Sequence, residues 1–261
     1  MPLRVFDFNS AIVRTPGKSV VDGLRAGAGP SPDYPGVLSE HRAYVAALQA
    51  AGVDVTTLPA LEAFPDSVFV EDPALVFTQA AILLNPGAPS RQGEARELAA
   101  ALHDRFSRVL TLPEGHADGG DILVTPQRVL IGLSARTDER GAASLRGLLS
   151  SIGLSSEIVR VPAGTLHLKT DCSLLDEETI LSTSTLASSK LLDGFRLLVV
   201  PEDERHATNA IRVNDVVLMR TGCPRAQEML VKHGLDVVTL PTDEIAKIDA
   251  GLSCMSLRWF A

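Results

Sequence analysis

The chain has 261 residues, 45% of them hydrophobic and 21% charged, enough to bury a sizeable core as one domain or two small ones. Its formal net charge of -8, with 24 basic residues scattered rather than run together, argues against a nucleic-acid or anionic-membrane surface and leaves room for a cationic ligand. The start, Met1-Pro2-Leu3-Arg4-Val5-Phe6-Asp7, has no apolar leader core, and no apolar run approaches the roughly 18 residues of a membrane span, so a cytoplasmic protein is expected.

The first predicted strand is Ala11 to Arg14, followed by a glycine-rich segment from Gly17 to Pro30 that reads as a loop. Beyond it one phrase recurs five times, a β-rich run closing on proline: Val53 to Pro59, Arg108 to Pro113, Glu157 to Pro162, Arg196 to Pro201 and Asp236 to Pro241. Proline gives no N–H to a ladder, so each phrase is a strand that stops at its proline. Before the phrases lie stretches of helical spacing: Ser39 to Ala51, Ser90 to Phe106, Thr137 to Ile152, Thr185 to Leu192 and Pro224 to His233. Ser39, Ser90 and Thr137 are candidate helix starts, and Gly52, Gly153 and Gly234 candidate helix ends.

After most of the prolines comes a polar stretch and then one or two more β-like runs, such as Ser67 to Phe77 with Ala80 to Leu84. The expected unit is helix, strand-proline, polar loop and hairpin. No unit of this size buries its own apolar face, so stacking or ring closure follows. In a closed ring the segments after the prolines meet at the centre, bringing Asp66, Glu71 and Asp72, Asp118 and Asp121, His167, Asn209 and Cys254 together.

Three cysteines, Cys172, Cys223 and Cys254, cannot all pair within one chain and show no C-x-x-C spacing, which fits a reducing compartment. Cys254, after Gly251 and before an apolar tail, reads as a thiol presented at a strand start, and it is the candidate nucleophile. Cys172 and Cys223 are left as structural.

Six blocks occur in family order along nearly the whole chain: Phe64 to Asp72, Pro86 to Arg91, Asp118-Gly119-Gly120-Asp121, Gly132 to Thr137, Leu166 to Lys169 and Lys247 to Cys254. On these the chain resembles the dimethylarginine dimethylaminohydrolases, a branch of the pentein superfamily. The resemblance implies an α/β fold, a five-bladed αβ propeller with pseudo-five-fold repeats, as a single catalytic domain over residues 1–261. It implies a hydrolase that converts Nω-methylated L-arginine to citrulline and an alkylamine without a cofactor. A guanidinium carbon is a poor electrophile, so a covalent route through a thiolate suits the reaction.

By that resemblance Cys254 is the nucleophile, His167 the acid and base, and Asp118 the carboxylate that orients His167. Asp66 and Asp72 bind the cationic head with Glu71 behind them, while Arg91 and Arg136 hold the far carboxylate. Val20 stands where the family's loop carries a lid leucine, and Ile248 lines the substrate site. Zinc on Cys254, His167 and a carboxylate would inhibit. Deiminases that act on plain arginine carry His-x-Asp, and two residues apart in a strand face the same side; this chain reads His167-Leu168-Lys169, with no second acid on that face, which favours methylated substrates. The rivals are an arginine deiminase or amidinotransferase on the same ring, and a non-catalytic binding ring. The partner implied is a small methylated arginine, on a monomer or homodimer.

Overall fold

The computed structural model describes residues 3–261. In chain order it forms β1 (Ser10–Arg14), α1 (Tyr34–Ala50) and β2 (Asp54–Leu58), then β3 (Ala74–Phe77), β4 (Ala80–Leu83), α2 (Glu94–His103) and β5 (Val109–Thr111). There follow β6 (Ile122–Val124), β7 (Val129–Leu133), α3 (Glu139–Ser151) and β8 (Ser156–Arg160), and next β9 (Cys172–Leu174), β10 (Thr179–Ser182), α4 (Ser184–Ser188) and β11 (Arg196–Val199). The last blade has β12 (Ile211–Val213), β13 (Val216–Arg220), α5 (Pro224–Lys232) and β14 (Asp236–Leu240), and β15 (Leu257–Trp259) ends the chain's regular structure.

Among the described residues fifteen strands make five three-stranded sheets, the blades of an αβ propeller. In four blades a hairpin is followed by a helix, and the third strand lies parallel to the second strand of that hairpin, a pairing that needs a helical crossover. The first blade takes its hairpin partner from the other end of the chain: β15 runs antiparallel to β1, with Ala11 opposite Arg258, and so closes the ring.

The proline phrases are the third strands, each ending at or just before its proline, as expected. The phase of the unit differs. A phrase pairs with the hairpin before its helix, not with the hairpin after its proline. The middle strands β4 and β10 are wholly buried, while the phrases sit outside and half-exposed, which is why they carry the polar alternation that a sequence shows best.

The apolar core lies between blades. Tyr44 and Leu48 of α1, for example, pack in one cluster with Leu218 and Leu240 of the fifth blade. The helix ends at Gly52, Gly153 and Gly234 hold, each at positive φ. The starts do not: Asp33 caps α1 through Gly36 N–H and Asp138 caps α3 through Gly141 N–H, while Gly93 begins α2. Ser39 lies inside α1, Ser90 in a 3-10 turn, and Thr137 just outside α3 with its hydroxyl turned to Asp121. No helix among the described residues is long and apolar enough to cross a membrane.

Candidate active site

The loops that follow the third strands converge on one end of the ring. Cys254 is carried there on a 3-10 turn, Ser253–Met255, just ahead of β15 rather than at its start. The turn is tied to two other blades: Ser253 N–H donates to Asn209 Oδ1 at 3.0 Å, and Glu71 N–H donates to Cys254 O at 3.1 Å. Burial pushes the thiol up to about 11, with the charges of Asp72 and Glu71 adding to it. At neutral pH the sulfur is therefore a thiol.

His167 is extended and leads into a 3-10 turn, Leu168–Thr170, so it lies outside any β run. Its Nε2 meets Asp118 Oδ2 at 3.2 Å, and Asp118, fully buried, is held in turn by Gly87 N–H at 2.7 Å on Oδ1. An aspartate is therefore long enough to reach the imidazole. Asp118 leads into a 3-10 turn, Gly119–Asp121, and Asp121 at its far end accepts from Leu168 N–H at 3.0 Å and from the hydroxyls of Ser134 and Thr137 at 2.6 and 2.7 Å. The two acids thus grip the histidine segment by side chain and by backbone. The glycines between them are obligatory on space alone. A Cβ on Gly119 would lie 2.0 Å from Glu71 O, and one on Gly120 would lie 2.8 Å from the His167 ring.

Burial alone would lower the His167 pKa. The Asp118 hydrogen bond and the charges of Asp72, Asp121 and Asp118 outweigh it and raise the group to about 9. At neutral pH the site holds an imidazolium beside a thiol.

Between them lies a cavity of about 40 Å³ on which Asp66, Asp72, Arg91, Arg136, His167, Ile248 and Cys254 all stand, with Leu24, Phe69 and Leu166 among the apolar wall. Asp66 and Asp72 are both buried. Burial raises Asp66, whereas for Asp72 the same burial is overcome by Arg91 and His167, which hold it below the ordinary carboxylate range.

Several expected site residues stand elsewhere. Glu71 lies behind the cysteine turn, not on the cavity, paired with Lys169 Nζ at 2.5 Å and Arg258 Nη2 at 3.4 Å. Lys169 is turned away with it. The strand rule that two residues apart share a face does not apply in a 3-10 turn, so position 169 does not face the substrate cavity. Val20 is fully buried in the core, and the leucine at the cavity is Leu24, whose N–H donates to Asp66 Oδ1 at 3.0 Å. Leu24 was legible as the first bulky apolar residue after Gly23.

Arg91 is buried, and most of its fork is spent on protein: Nη1 binds Asp72, Nε and Nη2 bind Glu94, and Nη2 also reaches Phe69 O at 2.9 Å. That leaves one Nη1 N–H without a partner among the described residues. Arg136, half-buried on the cavity wall, makes no side-chain hydrogen bond among the described residues. As for metal ligands, Asp72, Asp118 and His167 place donor atoms within 4.8 Å of one another, a set that differs from the expected one in lacking Cys254.

Comparison with known proteins gives the site its context. A family model described as N,N dimethylarginine dimethylhydrolase, eukaryotic, matches residues 35–161. The N(G),N(G)-dimethylarginine dimethylaminohydrolase of Pseudomonas aeruginosa is 40% identical over 97% of this chain and 100% of its own length. The enzyme of that name from Streptomyces coelicolor is 31% identical over 95% of this chain and 96% of its own. A solved structure of the Pseudomonas protein, a cysteine-to-serine mutant complexed with citrulline, superposes with a TM-score of 0.94 at 40% identity, covering 97% of this chain and 100% of that one. The N-terminal domain of ArgZ, an arginine dihydrolase from cyanobacteria, shares the fold at 19% identity with a TM-score of 0.84, over 95% of this chain and 96% of that one. With the identity running the length of both chains, and a thiol, an imidazole and paired acids meeting at the centre of a five-bladed ring, this chain belongs to the dimethylarginine dimethylaminohydrolase family.

Proposed function

We propose that this protein hydrolyses Nω,Nω-dimethyl-L-arginine and Nω-monomethyl-L-arginine to L-citrulline, releasing dimethylamine or methylamine. The observation that carries the reading is the convergence of Cys254, His167, Asp66, Asp72 and Arg136 on one cavity of a chain in this family. Asp66 and Asp72 receive the guanidinium, and its positive charge offsets the field that keeps the Cys254 sulfur protonated. The thiol gives up its proton to solvent as the cation binds, and the thiolate attacks the guanidinium carbon. His167, an imidazolium at neutral pH, gives its proton to the departing amine as the C–N bond breaks, leaving an amidino group on sulfur.

The imidazole, now neutral, takes a proton from water. The hydroxide adds to the same carbon, the C–S bond breaks, and citrulline leaves with the thiol restored. Water is the one co-reactant, so the reaction needs no cofactor. Asp118 keeps the ring oriented through both halves.

Substrate choice follows from the wall rather than from Lys169. Leu24, Phe69, Leu166 and Ile248 give N-methyl groups apolar surroundings and demand no N–H in return. The 17–32 loop lies over the cavity, tied down by Leu24 N–H on Asp66 and Ala26 N–H on Asp249, and these are the contacts that would loosen as substrate enters. Citrulline measured from competing substrates tests the reading: asymmetric dimethylarginine and monomethylarginine should be turned over well, and arginine and symmetric dimethylarginine poorly. Arginine exceeding asymmetric dimethylarginine in kcat/KM would make the enzyme a deiminase.

Arg136 holds the α-carboxylate, with the free N–H of Arg91 beside it. Arg136→Ala should raise KM for methylarginines by roughly 10- to 100-fold, the loss of a charge-assisted fork, and leave simple alkylguanidines nearly unchanged. Equal damage to both substrate types would place Arg136 at the reacting end instead.

A further inference from the structure

Behind the cysteine turn, on the side away from the cavity, one guanidinium spans the residues on both sides of Cys254. Arg258, in the middle of β15, sends Nη1 to Ser253 O at 3.3 Å, to Ser256 O at 3.1 Å, to Ser256 Oγ at 2.5 Å and to Tyr44 Oη at 3.4 Å. Tyr44 is fully buried, and its hydroxyl lies 2.6 Å from Ser256 Oγ, which backs the same contact from α1. The carbonyls gripped belong to the residue before Cys254 and to the second residue after it. Nη2 reaches Glu71 Oε1 at 3.4 Å, and Glu71 N–H holds the carbonyl of Cys254 itself.

We propose that Arg258 is a positioning residue for Cys254, gripping the thiol's turn from behind and, by holding Glu71, setting the charge that the sulfur meets. The proposal rests on Cys254 as nucleophile and adds to that reading a residue that touches no substrate.

The charges around the sulfur fall into two groups. On the cavity side are Asp66, Asp72, Arg91, Arg136, His167 with Asp118, and Asp249. Behind the turn are Glu71, Lys169, Arg258 and the Tyr44 hydroxyl. Glu71 is the one acid of the second group, and both cations there share its Oε1. Removing Arg258 leaves half of that compensation, so the carboxylate bears more heavily on Cys254, and a more negative surrounding raises a thiol's pKa. The residues flanking the nucleophile, Ser253 and Ser256, also lose the three contacts that Nη1 makes to them.

Alkylation of Cys254 by iodoacetamide, followed against pH by mass spectrometry, reads the sulfur without turnover. Its outcome is therefore separable from a failure of the catalytic reading, which Cys254→Ser reports. In Arg258→Gln the alkylation midpoint should rise by on the order of one pH unit. Its kcat/KM at neutral pH should fall about tenfold in step with that shift, while KM stays near the native value. Arg258→Gln with Glu71→Gln should bring the midpoint back down, because the charge that the arginine answered is gone. A merely structural role would lower activity and leave the midpoint in place.

Arg258→Lys keeps the charge but cannot reach every acceptor of the planar fork. It should hold the midpoint and lose several-fold in kcat, which also provides the decisive measurement if the glutamine variant does not fold. An unmoved midpoint in folded Arg258→Gln, or native kcat in Arg258→Lys, overturns the proposal.

Discussion

Cys254→Ser is expected to lose citrulline production by a factor on the order of 10⁴ or more, as removal of a covalent nucleophile does elsewhere. The thiol is pushed up to about 11, and the guanidinium it must attack is the cation that makes its ionisation accessible. A serine hydroxyl starts several units higher again, so the same cation cannot bring it into range. Oxygen for sulfur removes little volume from a half-buried position held by backbone contacts, Ser253 N–H to Asn209 and Cys254 O to Glu71 N–H, and both survive the change. Far-ultraviolet dichroism and the melting midpoint should therefore stay near the native values. Citrulline from asymmetric dimethylarginine, measured with the purified variant, decides the matter: a rate within tenfold of native sinks the nucleophile assignment.

The parts of this site legible in the sequence were those whose physics is local. A proline that stops a strand shows as such wherever it occurs, so five prolines disclosed five blades. The Asp118-Gly119-Gly120-Asp121 block showed only as part of a resemblance, and its reason, a backbone pressed against Glu71 O and the His167 ring, appears with the structure. What stayed hidden depends on partners far along the chain. The phase of the blades hides because a third strand pairs across a helix with the hairpin before it. Arg91 looked like a free fork because neither Asp72 nor Glu94 is marked in the sequence as its partner.

Lys169 misled through an assumed strand. Its segment is a 3-10 turn because Asp121 accepts from Leu168 N–H and bends the chain there, a contact 47 residues long in sequence. Val20 and Leu24 lie four apart in one loop, and only the hydrogen bond from Leu24 N–H to Asp66 decides which of them meets the cavity. Arg258 gave no signal at all. It sits on a terminal strand among apolar residues, and the turn it grips is recognisable only once β15 has closed the ring on β1.

His167→Gly is expected to separate the two halves of the reaction and to lower turnover of methylarginine by roughly 10²- to 10⁴-fold, the usual contribution of a positioned acid–base group. The imidazolium, held at about 9 by Asp118 and its neighbours against the pull of burial, is the proton source for an amine leaving group. A substrate whose leaving group departs without that proton escapes the first requirement. With S-methyl-L-thiocitrulline, Cys254 Sγ attacks the amidino carbon and methanethiolate leaves, so the adduct forms even in the variant. Hydrolysis then needs a base to take a proton from water, and with the imidazole gone the adduct should persist, visible as a mass increment on the peptide containing Cys254. Because Gly120 offers no side chain to fill the vacated ring space, added imidazole can occupy it beside Asp118 and restore part of the lost turnover. No increment on Cys254 together with near-native release of citrulline would remove His167 from both proton transfers, and turnover unaffected by imidazole would leave its loss a matter of packing alone.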